Sequence, residues 1–161
     1  MKMCNSEAMK AIKELEEKKK NLIYTENNRS KISYKEGEEK VLTKYDYDET
    51  RKSVAEIDEK IRKIKHALAK SNCTAVIDDF HITIGEALVY LAQLNAEYRQ
   101  LNNLSSYPKL ARRITANGVL EYTECLYDPE EATRDLEALH SKICKLQVAI
   151  DRANLTNYVE V

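Results

Sequence analysis

His140 and Cys144 stand one helical turn apart and offer an imidazole and a thiolate, two donor types that zinc takes in tetrahedral sites. A zinc site needs two further ligands, and none stands at the short spacing that metal motifs use. Both residues flank an apolar seam at positions 139 and 143, so ordinary surface placement is the simpler reading and no metal ligand is assigned. Asp78, Asp79 and His81 form a second group able to gather a cation, but Asp is common in turns because its side chain bonds the local backbone. Catalysis requires a nucleophile or an acid–base pair held in geometry, and the chain carries no nucleophile elbow, no HExxH helix and no paired carboxylates in an apolar setting. With three glycines it also lacks the Gly-rich segment of a Rossmann or P-loop phosphate cradle. No catalytic residue, no cofactor and no small-molecule ligand is assigned, and the chain is expected not to be an enzyme.

Charge gives no partner either. The 161 residues hold 26 Lys and Arg against 27 Asp and Glu, a net charge of −1, which removes the electrostatic case for a general nucleic-acid binder. Lys18-Lys19-Lys20 and Arg112-Arg113 are short basic runs, and Glu14, Glu16 and Glu17 lie one turn from the lysines and offset them. The ten tyrosines are more suggestive. Tyr34 and Tyr45 lie in one long connector and Tyr122 and Tyr127 in another, and Tyr joins an apolar body to a polar tip that suits protein interfaces. These four are the candidate interface residues; the plainer alternative is that their rings cap a core without Trp.

The longest apolar run, Ala87–Ala92, is far short of the roughly 20 residues a membrane-spanning helix needs. Met1–Glu7 leads into a charged helix with no apolar signal region, so a cytoplasmic location is expected and membrane association is not. Cys4, Cys73, Cys125 and Cys144 are too far apart for a CxxC motif and are read as free thiols. In that setting the Asn-x-Ser/Thr triplets at Asn28, Asn72, Asn103 and Asn154 have no bearing on glycosylation.

The elements that position all these residues are helical. Ala132, Leu136, Leu139, Ile143, Leu146, Ile150 and Ala153 follow a 4-3 spacing that lines one helix face. Pro129 suits the first turn of that helix, with Asp128 as its cap, and predicts a helix over about 129–154. Val54, Ile57, Ile61, Ile64 and Leu68 predict another over about 48–71. Thr83 and Glu86 form a capping box that opens a third helix, ending before Pro108. Ala8, Ile12, Leu15 and Leu22 mark the first, over about 5–26, with Lys19 interrupting its stripe.

Two of these helices repeat the other two. Adding 82 to the second lands Val54 on Leu136, Ile57 on Leu139, Ile61 on Ile143, Ile64 on Leu146 and Leu68 on Ile150. Tyr45-Asp46 falls on Tyr127-Asp128 and Asn72-Cys73-Thr74 on Asn154-Leu155-Thr156, which shared periodicity alone would not produce. Adding 79 to the first lands Glu7-Ala8 on Glu86-Ala87, Leu15 on Leu94 and Leu22 on Leu101. Asn72 and Asn154 are expected to close their helices in the left-handed conformation that Asn tolerates.

The connectors, 27–47 and 107–128, exceed the ~12–15 residues beyond which structureless loops become uncommon, so each is expected to form a small β-arm. Glu36-Gly37 and Asn117-Gly118 supply the turns, the second as a pair that both accept positive φ. Val76–Ile82 reads as a tiny hairpin turning at Asp78-Asp79. The fold expected is mainly all-α: one domain over 1–161, with two tandem helix-connector-helix repeats at about 5–72 and 83–155, packed as an antiparallel four-helix bundle or coiled coil. If each repeat folds as a hairpin, both arms leave one pole and the joint lies at the other.

Glu36-Gly37-Glu38-Glu39, Asn72-Cys73-Thr74, Thr83–Leu88 and Ile150–Thr156, in this order and spacing across nearly the whole chain, resemble the septicolysin-like family of small bacterial helical proteins. Departures are Lys40 and Leu155, where that pattern has Pro and Trp, and Leu120–Cys125, which lacks its basic residue and Ser-Thr. The resemblance implies an all-helical bacterial protein and supplies no catalytic residues. The function expected is that of a non-enzymatic module that self-associates as a homo-oligomer through its arms. The alternatives are a membrane-active, toxin-like protein, suggested by the family name and the amphipathic helices, and, further off, a metal-binding protein around Asp78, Asp79, His81 or His140.

Overall fold

The computed structural model describes residues 2–161. Four helices carry most of the chain: α1 (Asn5–Arg29), α2 (Tyr47–Thr74), α3 (Ile84–Ser105) and α4 (Pro129–Thr156). Around them lie β1 (Lys2–Cys4), β2 (Val76–Ile77), β3 (Ile82–Thr83), β4 (Leu110–Ile114), β5 (Leu120–Glu124) and β6 (Tyr158–Glu160), paired antiparallel as β1 with β6, β2 with β3 and β4 with β5. The chain divides into two compact units, Met1–Thr74 with Asn154–Val161 and Ala75–Ala153.

Each helix begins where its sequence supplies donors and acceptors. Thr83 caps α3: its hydroxyl accepts from the Glu86 amide at 3.2 Å, and Glu86 Oε2 accepts from the Thr83 amide at 2.8 Å. The equivalent start of α1 uses the same box with an unusual cap, Cys4 Sγ accepting from the Glu7 amide at 3.5 Å and Glu7 Oε2 accepting from the Cys4 amide at 2.8 Å. Asp46 and Asp128 accept from the amides of Glu49 and Glu130 and so cap α2 and α4. The hydrogen bonds from the Thr83 amide and hydroxyl hold the Glu86 carboxyl below the usual carboxylate range. A depressed folded-state pKa contributes stability that is present above the unfolded value and fades as pH falls through the folded one. Thr83→Ala is expected to cost about 1 kcal/mol in urea unfolding at neutral pH, and the loss should shrink toward acid as Glu86 protonates.

In the first unit α1 and α2 pack as an antiparallel pair over Ala8, Ile12, Ile57, Ile61, Ile64 and Leu68, closed at one end by Met3 and Val159 of the β1–β6 pair. Lys19, which interrupts the α1 stripe, reaches Asp58 on α2 with 2.7 and 2.9 Å contacts to the two carboxylate oxygens. Both side chains remain about one-third exposed, at 32% and 34%, so the pair contributes at most about 1 kcal/mol. Farther out, Lys65 pairs with Glu16 at 2.7 Å, and Arg51 pairs with Glu26. In the second unit Ile84, Ala87 and Leu94 of α3 meet Leu139, Ile143, Leu146, Ala149, Ile150 and Ala153 of α4, with Ile77 of β2 beneath them.

The strand pairs that close the two units share their register. Cys4↔Tyr158 and Met3↔Val159 in one pair of strands match Thr83↔Val76 and Ile82↔Ile77 in the other under the same shifts of 79 and 82. The Asn5 amide donates to the Asn157 carbonyl at 2.9 Å, as the Ile84 amide donates to that of Ala75 at 2.9 Å. The strand that follows each repeat's second helix therefore pairs with the strand that opens the other repeat, so the compact units differ at their edges from the tandem segments of the sequence.

Three local expectations are corrected. No strand forms in residues 30–46: Gly37, at φ 84°, is third in a turn closed by the Glu38 amide on the Lys35 carbonyl, and such a type II geometry splays the flanking chain rather than pairing it. The second arm does form, but Gly118 alone has positive φ, at 75°. Its amide donates to the Thr115 carbonyl and the Thr115 amide to that of Val119, the three-residue loop with a glycine bulge. Asn72 and Asn154 lie within helices that continue to Thr74 and Thr156.

Candidate functional site

His140 and Cys144 touch, Nε2 to Sγ 3.7 Å, on the exposed side of α4. The His140 ring lies 5.8 Å from that of Tyr98 on α3, centre to centre and tilted by 46°. Under the repeat shifts these two rings occupy the places of Asp58 and Lys19, so one seam position is an ion pair in one unit and an aromatic pair in the other. Asp78, Asp79 and His81 fill the four-residue turn between β2 and β3, where the His81 amide donates to the Ile77 carbonyl and His81 adopts φ 54°. Asp79 stands 4.0 Å from Arg152. Among the described residues, no three His, Cys, Asp or Glu side chains come together in a way that could hold a metal ion. All four cysteines are free, Cys4 buried and Cys73 and Cys144 exposed.

The four candidate tyrosines separate into two kinds. Tyr45 and Tyr127, equivalent by the shift of 82, turn inward beside the Asp caps of α2 and α4. The Tyr45 hydroxyl donates to Glu26 at 2.8 Å and the Tyr127 hydroxyl to the Leu104 carbonyl at 2.9 Å, each tying the start of one helix to the end of its partner. Partial removal from water raises both phenols above their ordinary range, with the Glu26 carboxylate adding to the shift at Tyr45 and the Cys125 thiol at Tyr127. Tyr34 and Tyr122 are exposed, the former under the Lys40 ammonium at 4.7 Å.

Tyr122 belongs to the one arm that is a sheet. In β4–β5 the partners are Leu110↔Glu124, Ala111↔Thr123, Arg112↔Tyr122, Arg113↔Glu121 and Ile114↔Leu120. Side chains alternate along a strand, so Ala111, Arg113, Glu121 and Thr123 share one face and Leu110, Arg112, Ile114, Leu120, Tyr122 and Glu124 the other. The first face is polar, with Arg113 on Glu121 at 2.7 Å. The second is largely apolar and open to water: Ile114 is 74% exposed, Tyr122 59% and Leu110 55%. Sequence reasoning singled out Tyr122 here and missed Ile114 and Leu120: a two-residue turn at Asn117-Gly118 would pair Ile114 with Glu121, on the face opposite Leu120 and Tyr122, and the three-residue loop brings all three to one face.

No family model and no curated protein matches the chain. Among solved structures, it is similar to the crystal structure of a functionally unknown conserved protein from Corynebacterium diphtheriae. The similarity has a TM-score of 0.73 and covers 99% of this chain and 100% of that one, at 15% identity. At that identity the likeness establishes a shared fold and carries no activity across. Among the described residues no helix is long and apolar enough to cross a membrane.

Proposed function

We propose that the chain is a non-enzymatic helical module that associates with a second copy of itself through the apolar face of the β4–β5 arm. The carrying observation is that face. A two-stranded hairpin is marginal alone in water, and this one leaves Leu110, Ile114, Leu120 and Tyr122 uncovered. The face also holds one cation, Arg112, and one carboxylate, Glu124, so it meets its own copy without net repulsion, as a two-fold contact requires. Tyr and Arg are the residue types that such contacts favour. The packing of all four helices as one bundle belongs to the same reading, on the strength of their 4-3 seams, as does the septicolysin-like resemblance, on its motifs.

Light scattering across the micromolar range tests the proposal. The wild-type mass is expected to rise from the 18.6 kDa of one chain toward twice that value. The Ile114→Ser, Tyr122→Ser double variant should stay at the single-chain mass, while Tyr34→Ser behaves as wild type. A wild-type protein that remains monomeric, or a double variant that still associates, would overturn it.

A further inference from the structure

Comparing the two repeats separates what packing requires from what it does not. Tyr45 and Tyr127 form the clasps, Asp46 and Asp128 the caps, Glu7 and Glu86 the capping boxes, and Ala8, Ala87, Ile61 and Ile143 the cores. Four exposed cationic positions recur under the shift of 82, those of Lys52, Lys60, Lys63 and Lys70, and the last two border a groove in both units. Lys63 returns as Lys145, and Lys70 as Arg152. In each helix the two cations stand seven residues apart, about 10 Å along the axis, with Ala67 or Ala149 between them.

Each cation pair borders a groove. In the first unit a groove of about 500 Å³ lies between α2 and β6, lined by Lys63, Lys70, His66 and Ala67 with Tyr158 and Val159. In the second a groove of about 480 Å³ lies between α4 and the turn after β2, lined by Lys145, Arg152, Val148 and Ala149 with Phe80 and Cys144. These volumes fall in the range of small-molecule sites. Each joins an apolar floor and an aromatic ring to two cations, with one carboxylate, Glu160 in the first and Asp79 in the second, also on its wall. Lys63 is in contact with Glu59 at 2.8 Å, an exposed pair of the weak kind that a ligand's acid group can replace, and Arg152 stands 4.0 Å from Asp79.

We propose that the two grooves are equivalent binding sites, one per unit, for a small amphipathic anion: an apolar body of one or two rings, or a short chain, bearing a carboxylate, sulfonate or phosphate. The anion lies against the cation pair and the apolar body lies on the groove's apolar and aromatic lining, Tyr158 in the first unit and Phe80 and Val148 in the second.

The probe is 1-anilinonaphthalene-8-sulfonate, with neutral N-phenyl-1-naphthylamine as the same body without its charge. Titration of the full chain is expected to give two bound sulfonates. Lys63→Ala with Lys70→Ala should remove one, Lys145→Ala with Arg152→Ala the other, each weakening its site at least about tenfold with the helical circular dichroism unchanged. The neutral analogue should be insensitive to all four substitutions, and the Ile114→Ser, Tyr122→Ser variant should keep both sites, which separates the grooves from the arm. On the wild-type chain, the bound sulfonate should slow alkylation of Cys144 by iodoacetamide and leave that of Cys73 unchanged. Sulfonate binding that survives the fourfold variant, equal binding of the neutral analogue, or no protection of Cys144 would overturn the proposal.

Discussion

Replacing Leu146 with Ala is expected to destabilise the protein by about 3–5 kcal/mol, among the largest effects available to a single substitution in this chain. Leu146 is fully buried, at 0% exposure, among Leu139, Ile143, Ala149 and Ile150 of its own helix and Ile84 and Ala87 of α3. Truncation removes its apolar surface from the core and leaves a cavity that the two packed helices have little freedom to close. Leu146→Met keeps the volume and is expected to cost less than about 1.5 kcal/mol. Urea unfolding followed by circular dichroism measures both. A loss below about 1 kcal/mol for the alanine variant would mean that the α3–α4 seam is not the load that holds the second unit. Ile64, the same position in the first unit and 6% exposed, should behave alike.

Seams of this kind are why so much of the fold is legible in the sequence. Periodic apolar residues locate helices over four to seven turns, and each boundary expected from caps and proline falls within three residues of the one observed. Strands of two or three residues carry no such periodicity, and β1 and β6 went unseen for that reason. The duplication held the missing information. Shifting Val76-Ile77 by 82 gives Tyr158-Val159, and shifting Met3-Cys4 by 79 gives Ile82-Thr83, so the joint hairpin implied a second pairing between the chain's outermost segments. The Cys4 cap was hidden because cysteine rarely serves there, although Glu7 stood where Glu86 closes the Thr83 box. The first arm misled because a glycine-centred turn between β-favouring residues does not specify its own twist, and only the glycine-bulge form at Gly118 holds two strands in register. The grooves were illegible in another way: two cations seven residues apart on a helix are ordinary surface residues, and only their recurrence beside a cavity in each unit distinguishes them.

The same equivalence makes the buried Asn5 the most discriminating position in the molecule. It is fully buried, at 0% exposure, and exchanges two hydrogen bonds with Ser71: Nδ2 to Oγ at 3.0 Å and Oγ to Oδ1 at 3.1 Å. The counterparts under shifts of 79 and 82 are Ile84 and Ala153, both buried and both apolar. One position is thus filled by a polar pair and its double by an apolar pair, each complete, as expected when a mismatched intermediate is penalised. Asn5→Ile alone strands the Ser71 hydroxyl, and Ser71→Ala alone strands the amide; each is expected to cost about 1–3 kcal/mol. The double variant recreates the Ile84–Ala153 arrangement and should return to within about 1 kcal/mol of wild type, because removing both partners of a buried polar contact can be nearly neutral. The backbone bond from the Asn5 amide to Asn157 is independent of the side chain and persists throughout. A double-mutant cycle in urea should therefore show a coupling of about 1–3 kcal/mol. Additive losses would mean that the two helix ends do not share an environment, and the equivalence of the units would fail at its most buried point.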